Sequence, residues 1–355
     1  MDFSLLKTLT ETPGVSGREE RVRRLVADQF SRLTDQVTVD ATGNLIGHIS
    51  GKGPGVALIA HMDEIGFLVS KIEPEGFVRV MPVGGIDRRV FPAQQVIVHG
   101  REDLPGIVGS VPPHLLKGEG KEAEKSPPIE EGFIDLGLPA DRVREMIRIG
   151  DPVTFATRSW ENEISFIGKA LDDRVGLFVM LEAVRQATRI DANLFLIAST
   201  QEEYGLRGVA AAVYSVNPDI VVALEGTVAS DTPSLNLPAN TTPTVQSRGP
   251  EIRLTDKRMI ADRDLADYLI RLAEDRGIPH QVIVKQTGAT DAAAAQVTAS
   301  GVRAGAVSIP ARYIHTPAAM VRKSDVVHAS ALVCAFIETA SQFGQTSTPQ
   351  LISNR

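Results

Sequence analysis

Leu194-Phe-Leu-Ile-Ala-Ser-Thr-Gln-Glu-Glu-Tyr-Gly-Leu-Arg-Gly208 decides the fold. Its first half is a continuous apolar run of strand length, as expected of a strand buried on both faces. Gly205 supplies the turn that follows. Between them stand two adjacent carboxylates, Glu202 and Glu203. Like charges at the mouth of a buried strand repel one another and resist desolvation. Either a solvated loop carries them or a bound cation compensates them, and the rest of the chain decides which.

Working outward, the same pattern recurs. Val56-Ala-Leu-Ile-Ala60 is a second continuous apolar run, preceded by Gly55. Segments 220–224, 281–285 and 303–309 read as further strands, and 36–40 and 44–49 as a pair around Gly43-Asn44. Helical spacing marks 3–11, 18–33, 171–187, 261–276 and 325–341, with Ser16 or Gly17 as the start of the second. Strands alternating with helices imply an α/β domain. Residues 69–163 break that alternation. They are dense in short β-like pieces such as Phe77-Val-Arg-Val-Met81 and Gln95-Val-Ile-Val-His99, with a polar, Lys-, Glu- and Pro-rich stretch at 112–131. That is all-β texture with one long loop, inserted in an α/β chain. The last dozen residues read as a frayed end.

The totals narrow the function class. The 355 residues are 43% hydrophobic and 23% charged, enough apolar material for a large globular core. A net charge of −7 argues against a nucleic-acid partner, which favours a basic excess. Cys334, the one cysteine, lies in an apolar helix-like run, so no internal disulfide forms and a reducing, cytoplasmic setting fits. The N-terminus lacks signal-peptide character, and no apolar run approaches the roughly 20 residues that span a bilayer.

Five segments place metal-competent side chains after a strand or at a helix start: His61 and Asp63; Asp172 and Asp173; Glu202 and Glu203; Glu225; and His315. In open α/β sheets ligands collect beyond the carboxyl ends of the strands, so these residues are expected to converge. Each has an ordinary alternative. A lone histidine after a strand is commonly a hydrogen-bonded structural residue, Asp172 could cap a helix, and Glu225 could be a surface acid. Five such segments together favour a cation site. Imidazole with carboxylate suits zinc, with cobalt or manganese as rivals. His48, His99, His114, His280 and His328 lack that company and read as structural or surface residues. Thr290-Asp291 reads first as a helix cap and second as a pocket wall.

Ala60-His-Met-Asp-Glu-Ile-Gly66, Ala170-Leu-Asp-Asp-Arg-Val-Gly176, Thr200-Gln-Glu-Glu203 and Ile309-Pro-Ala-Arg-Tyr-Ile-His-Thr-Pro317 resemble the tetrahedral, dodecameric metallo-aminopeptidases, some of which were once labelled cellulases. Gly109-Ser-Val-Pro-Pro-His114, Phe133-Ile-Asp-Leu-Gly137 and Thr290-Asp-Ala292 extend the resemblance over nearly the whole chain. The resemblance implies a mixed-sheet α/β/α zinc-peptidase domain formed by 1–68 and 164–355. It makes 69–163 an inserted, β-barrel-like dimerisation domain. It implies two divalent cations, zinc first and cobalt or manganese as alternatives. His61 and Glu225 belong to the first site, Glu203 and His315 to the second, and Asp172 bridges them. Asp63 orients His61. Glu202 is the general base acting on a water between the metals, which cleaves peptides with a free N-terminus. Dimers are expected to build a dodecamer, with no nucleic-acid or membrane partner.

The chain departs from the family pattern twice. Glu225 stands where many members have Asp, and Ala319 near where relatives often carry Glu. Rival functions are a two-metal carboxypeptidase or amide deacylase, a glycosidase using paired carboxylates, and a non-catalytic scaffold. The glycosidase leaves His61 and His315 unexplained, and the scaffold leaves the complete ligand set unexplained.

Overall fold

A computed structural model describes residues 1–110, 128–233, 237 and 239–346. Most of the 112–131 stretch, His114 and the motif around it, and the C-terminal end beyond 346 lie outside the described residues.

The chain opens with α1 (Ser4–Glu11), α2 (Glu20–Phe30), β1 (Val37–Val39), β2 (Leu45–Ile49) and β3 (Gly55–His61). Next come β4 (Gly66–Ile72), β5 (Val78–Val83), β6 (Gln95–His99), β7 (Asp103–Val108), β8 (Ile134–Asp135), α3 (Ala140–Met146) and β9 (Pro152–Phe155). Then follow β10 (Trp160–Glu161), β11 (Ser165–Gly168), α4 (Leu171–Gln186), β12 (Asn193–Ser199), α5 (Val209–Val216) and β13 (Ile220–Val228). The chain continues through β14 (Glu251–Thr255), α6 (Arg263–Asp275), β15 (Gln281–Val284) and α7 (Asp291–Ala295). It closes with β16 (Arg303–Arg312), β17 (Ala319–Arg322) and α8 (Lys323–Thr346).

Among the described residues, eleven strands form one mixed sheet in the order β1-β2-β12-β3-β13-β16-β17-β11-β10, with β14 pairing β16 and β15 pairing β14. The central four, β12, β3, β13 and β16, run parallel. Parallel strands are covered on both faces, and the sequence shows it. Val56, Leu58 and Ala60 of β3 enter one core, which α1, α2, α4, α6 and α8 close. Ala57 and Ile59 enter the other, under α5 and α7. The result is an α/β/α sandwich. Helix α4 is buried nearly all round, which explains its weak amphipathicity. By length and composition α8 could cross a membrane, but 61% of that stretch is buried in the fold, with Leu332, Phe336 and Ile337 in the first core.

Between β3 and β10 the chain closes a six-stranded barrel, β4-β5-β8-β7-β6-β9. Phe67, Val80, Val98 and Phe155 fill it, and alternate residues face outward. The architecture changes at Gly66 and again after Phe155, because Trp160-Glu161 already pairs with β11 of the main sheet. The block also contains α3, which the all-β texture does not reveal. Only Val143 and Met146 of its seven residues are buried, too few for a helical period to stand out.

Two local expectations fail. The N-cap of α2 is Glu19, not Ser16 or Gly17. The Ser16 hydroxyl is spent on Asp63 Oδ2 at 2.5 Å. Glu225 lies inside β13 rather than after it.

Candidate metal centre

The site grows from the carboxyl ends of the parallel strands. Ser199 of β12 pairs in register with His61 of β3, so both chains leave the sheet at one level. Beyond β12 the backbone turns sharply. Gln201, Leu206 and Gly205 all have positive φ, a conformation that costs a non-glycine residue roughly 1 kcal/mol or more. Buried carboxylates hold the turn. Asp63 accepts from the amides of Glu202 and Glu203, both at 3.1 Å, and Glu19 accepts from the amide of Gln201 at 3.2 Å. The Glu202–Glu203 pair is therefore fixed through its own backbone.

Asp172 and Asp173 open α4 in non-helical conformations joined by a cis peptide. They divide their work. Asp173 is fully buried and accepts from the amides of His61, Gly176 and Gly226, which locks β3, α4 and β13 together. Asp172 faces the site. Gly226 lets it come close, since a Cβ there would lie 3.2 Å from Asp172 Cα. Next to Gly226, Glu225 points into the site and is 4% exposed.

His315 arrives from the loop after β16, with φ +58°. Its Nδ1 donates to the Gly85 carbonyl at 2.9 Å, which leaves Nε2 free to bind a cation. Nδ1 of His61 likewise meets the Asp63 carbonyl at 3.1 Å and turns Nε2 inward. The barrel loop approaches so closely that side chains there would collide. A Cβ at Gly84, where φ is +82°, would stand 2.7 Å from Ile65 Cγ2 and 3.2 Å from Glu203 Oε2. Gly84→Ala is therefore expected to push Glu203 aside and weaken divalent-metal binding in a competition titration against a chromogenic chelator. Unchanged affinity would contradict this contact.

The seven residues to which the family resemblance assigns a role meet here. His61, Asp172 and Glu225 form one cluster of ligand atoms, and Asp172, Glu203 and His315 a second, each within 4.8 Å. Asp172 is common to both. Its Oδ1 lies 3.4 Å from His61 Nε2 and its Oδ2 3.4 Å from His315 Nε2, and His315 Nε2 is also 3.4 Å from Glu203 Oε1. These separations exceed good hydrogen bonds. They match the spacing of roughly 3.4 Å between two ligands bound about 2.1 Å from one tetrahedral ion. Asp172 Oδ1 is buried with no hydrogen-bond partner, a costly vacancy for a carboxylate oxygen that a cation would fill. Glu202 belongs to neither cluster; its Oε2 stands 3.9 Å from His61 Nε2. The extra methylene of Glu225 does not keep it from the first cluster. Ala319 is 3% exposed and paired with Gly168, inside the sheet.

The electrostatics also favour a cation. Burial raises the carboxyls of Glu202 and Glu225 well above the usual range, and neighbouring acids, Asp291 for Glu202 and Glu202 for Glu225, raise them further. Burial likewise carries Glu203 to about 7. Burial alone would lower His61 and His315, but the surrounding acids together outweigh it, Asp172 with Asp63 and Glu202 for His61 and Asp172 with Glu203 for His315, which rises to about 10. Acids that want protons crowd histidines that keep them. Two dications would reverse both tendencies.

Several supporting residues escape a sequence reading. Besides Ser16 and Glu19, Glu64 accepts from Lys169 Nζ at 2.6 and 2.8 Å and from the Gly14 amide. Arg174, fully buried, donates to the carbonyls of Leu9 and Thr12 and stands 3.8 Å from Glu64. These buried charges tie α1 and the loop after β3 to the start of α4. Asp291 bonds the Ser199 hydroxyl, while Thr290 caps α7 by accepting from Ala292. His99 does have carboxylate company: Asp103 at 2.8 Å, itself held by both guanidinium nitrogens of Arg21, with Thr154 on the other ring nitrogen. It is structural, and it joins the barrel to α2. The Thr290 cap is local and agrees with the sequence reading; the other contacts could be found from sequence only by knowing which distant segments touch.

A cleft of about 520 Å³ opens from the two clusters toward a wall built by β13, β14 and the loop after β15. In that wall Glu251 is fully buried between Arg253 Nε at 2.7 Å and Lys285 Nζ at 2.9 Å. Burial would raise Glu251, but the two cations hold it at about 2. A carboxyl whose folded pKa lies below its ordinary 4.5 adds stability above that value. The contribution is lost as pH falls toward 2. Glu251→Gln is therefore expected to melt lower at pH 7 and to lose less stability than the parent between pH 4.5 and 2. Parallel melting curves would contradict this.

The profile of M42 glutamyl aminopeptidases matches residues 43–332. The lysyl aminopeptidase of Pyrococcus furiosus is 34% identical over 345 residues, covering 95% of this chain and 97% of that one. An aminopeptidase from the archaeon Desulfurococcus kamchatkensis superposes with a TM-score of 0.92 at 37% identity, over 99% of this chain and 98% of that one. The TET1 peptidase of Pyrococcus horikoshii, which can assemble into a tetrahedron or a large octahedral shell, matches at 30% identity with a TM-score of 0.84, over 94% and 98%.

Proposed function

Because the chain belongs to the M42 glutamyl aminopeptidase family, we propose that it removes N-terminal residues from peptides at a two-metal site made by His61, Asp172, Glu225, Glu203 and His315. One observation carries the reading: the two oxygens of Asp172 each face a different histidine-carboxylate cluster. A single metal would leave one of these clusters without a purpose. Zinc suits the mixed imidazole–carboxylate set best, with cobalt or manganese next.

Bound divalent cations would supply Lewis acidity to the scissile carbonyl and lower the pKa of an attacking water. The chain's own residues do the rest. Glu202, poised at the edge of the first cluster and fixed through its amide by Asp63, accepts the water's proton and returns it to the leaving amine. Asp63 also orients the His61 ring, a positioning role. The carboxylates around the first cluster receive the substrate's α-ammonium, which restricts cleavage to the end of a chain. The barrel, 69–163 in outline, serves as a dimerisation domain, and the dimers assemble into a closed dodecamer. A cytoplasmic setting fits a chain with one cysteine.

Product analysis on one peptide with a free and an acetylated N-terminus tests the reading. Stepwise loss of residues from the free peptide alone is expected. Release from the C-terminus would favour a carboxypeptidase, and cleavage of the acetyl group a deacylase.

A further inference from the structure

Two contacts between the barrel and the sandwich lie on different barrel strands. At the first, Asp103 of β7 accepts from both terminal guanidinium nitrogens of Arg21 on α2, at 2.6 and 2.7 Å. The same carboxylate meets Nδ1 of His99 on β6 at 2.8 Å, and Nε2 of that ring meets the Thr154 hydroxyl on β9 at 2.9 Å. One polar clamp thus joins α2 to three barrel strands. At the second, the loop after β5 meets the metal centre. Gly85 accepts from His315 Nδ1 at 2.9 Å, and a Cβ at Gly84 would stand 3.2 Å from Glu203 Oε2. The barrel connects the two. Its six strands are hydrogen-bonded in a closed ring around Phe67, Val98 and Phe155, so it moves as one body. Its attachment to the sandwich is narrow, since the chain crosses at Gly66 and again between Phe155 and Trp160. At Gly66 the fit is tight, because a Cβ there would lie 2.6 Å from Val15 Cγ2. Beside the clamp it is loose. Glu11 and Lys169 face Ile97, His99 and Thr154 across a crevice of about 140 Å³. Close-packed interiors leave few voids of that kind. At this end the polar clamp, and not packing, sets the tilt of the barrel.

The two clusters depend on that tilt unequally. His61, Asp172 and Glu225 of the first stand on β3, α4 and β13, all in the sandwich. His315 of the second lies on the loop after β16 with its side chain 37% exposed, and it leans on the barrel through Gly85. We propose that Arg21, Asp103 and His99 are positioning residues for the second cluster, an inference that rests on the two-metal reading above. By locking the barrel against α2 they hold Gly84 and Gly85 where these aim Glu203 and His315. The side chains of Arg21 and Asp103 are each 43% exposed, and a pair so placed adds little to global stability. Its leverage is geometric. A metal site tolerates displacements of only a few tenths of an ångström in its ligands, so a small rocking of the barrel is enough to weaken it.

Arg21→Ala and Asp103→Ala release the clamp from opposite sides. The full chain of each is titrated with zinc against a chromogenic chelator, with Glu203→Gln marking which event belongs to the second cluster. Both variants are expected to bind the second ion roughly threefold or more weakly and the first ion as the parent does. Arg21→Lys keeps the charge without the planar fork and is expected to fall between the parent and Arg21→Ala. Hydrogen exchange over residues 313–318 in the chelator-treated protein reads the same clamp without metal, and it should quicken in both alanine variants. Parental second-ion affinity with parental exchange in both variants would overturn the proposal. So would two metal events that weaken equally alongside a lower Tm, since that marks the clamp as support for the whole fold. A parent that binds only one ion would sink the two-metal reading, while quicker exchange at 313–318 in the variants would leave this inference standing. Unchanged exchange and affinity in variants of a two-ion protein would do the reverse.

Discussion

Replacing Glu202 with Gln is expected to leave metal content unchanged and to cut kcat by roughly 10²–10⁴-fold, the usual worth of a general base. The substitution keeps the side chain's size and removes its ability to accept a proton. It does not disturb the scaffold, because Asp63 holds residue 202 through the backbone amide. It also spares both ligand clusters, neither of which includes Glu202. Burial makes this carboxyl a reluctant anion, and the charges of Asp291, Glu203 and Asp172 reinforce that. Side-by-side measurement of bound metal and kcat on an aminoacyl anilide checks the prediction. A variant with full metal and near-parental kcat would remove Glu202 as the base.

Asp172→Asn is expected to have the larger effect on the metals. One carboxylate serves both clusters, so one substitution strips a ligand from each. Neutralising it also removes the only acid, among the described residues, that faces both histidines within 3.4 Å. Metal titration should show both binding events weakened together and hydrolysis reduced by about 10²-fold or more, at least the cost of losing an outer partner of a metal ligand. Glu203→Gln, by contrast, should weaken only the second event. The fold itself should persist, because Asp173, not Asp172, staples β3, α4 and β13 together. A variant that keeps one tight site would contradict the shared role.

Much of the candidate site was legible in the sequence because several of its side chains sit at strand ends, where an apolar run meets a charge. His61, Glu202 and Glu203 carry that mark, and Asp172 was marked instead by its place at a helix start. Glu225 was misplaced by the same rule. A glutamate inside a strand reads as the strand's end, yet β13 continues to Val228 because that side chain faces the cluster instead of the core. The supports were illegible for another reason. Ser16 reaches Asp63 across 47 positions, Lys169 reaches Glu64 across 105, and Glu19 reaches Gln201 across 182. No local pattern encodes such contacts. The barrel was visible as texture, but its closure depends on β8, two residues long, which bridges β5 and β7. The close approach of Gly84-Gly85 to Glu203 and His315 shows why the insertion matters to chemistry: the barrel loop holds the second cluster in place.

Counting metal alongside activity shows whether the Asp172 carboxylate, shared by both clusters, holds two cations. Elemental analysis of the purified protein after reconstitution should give two divalent ions per chain. Hydrolysis of an aminoacyl anilide should vanish on chelation and return as the second equivalent is restored. One ion per chain with full activity, or hydrolysis that survives exhaustive chelation, would contradict the account.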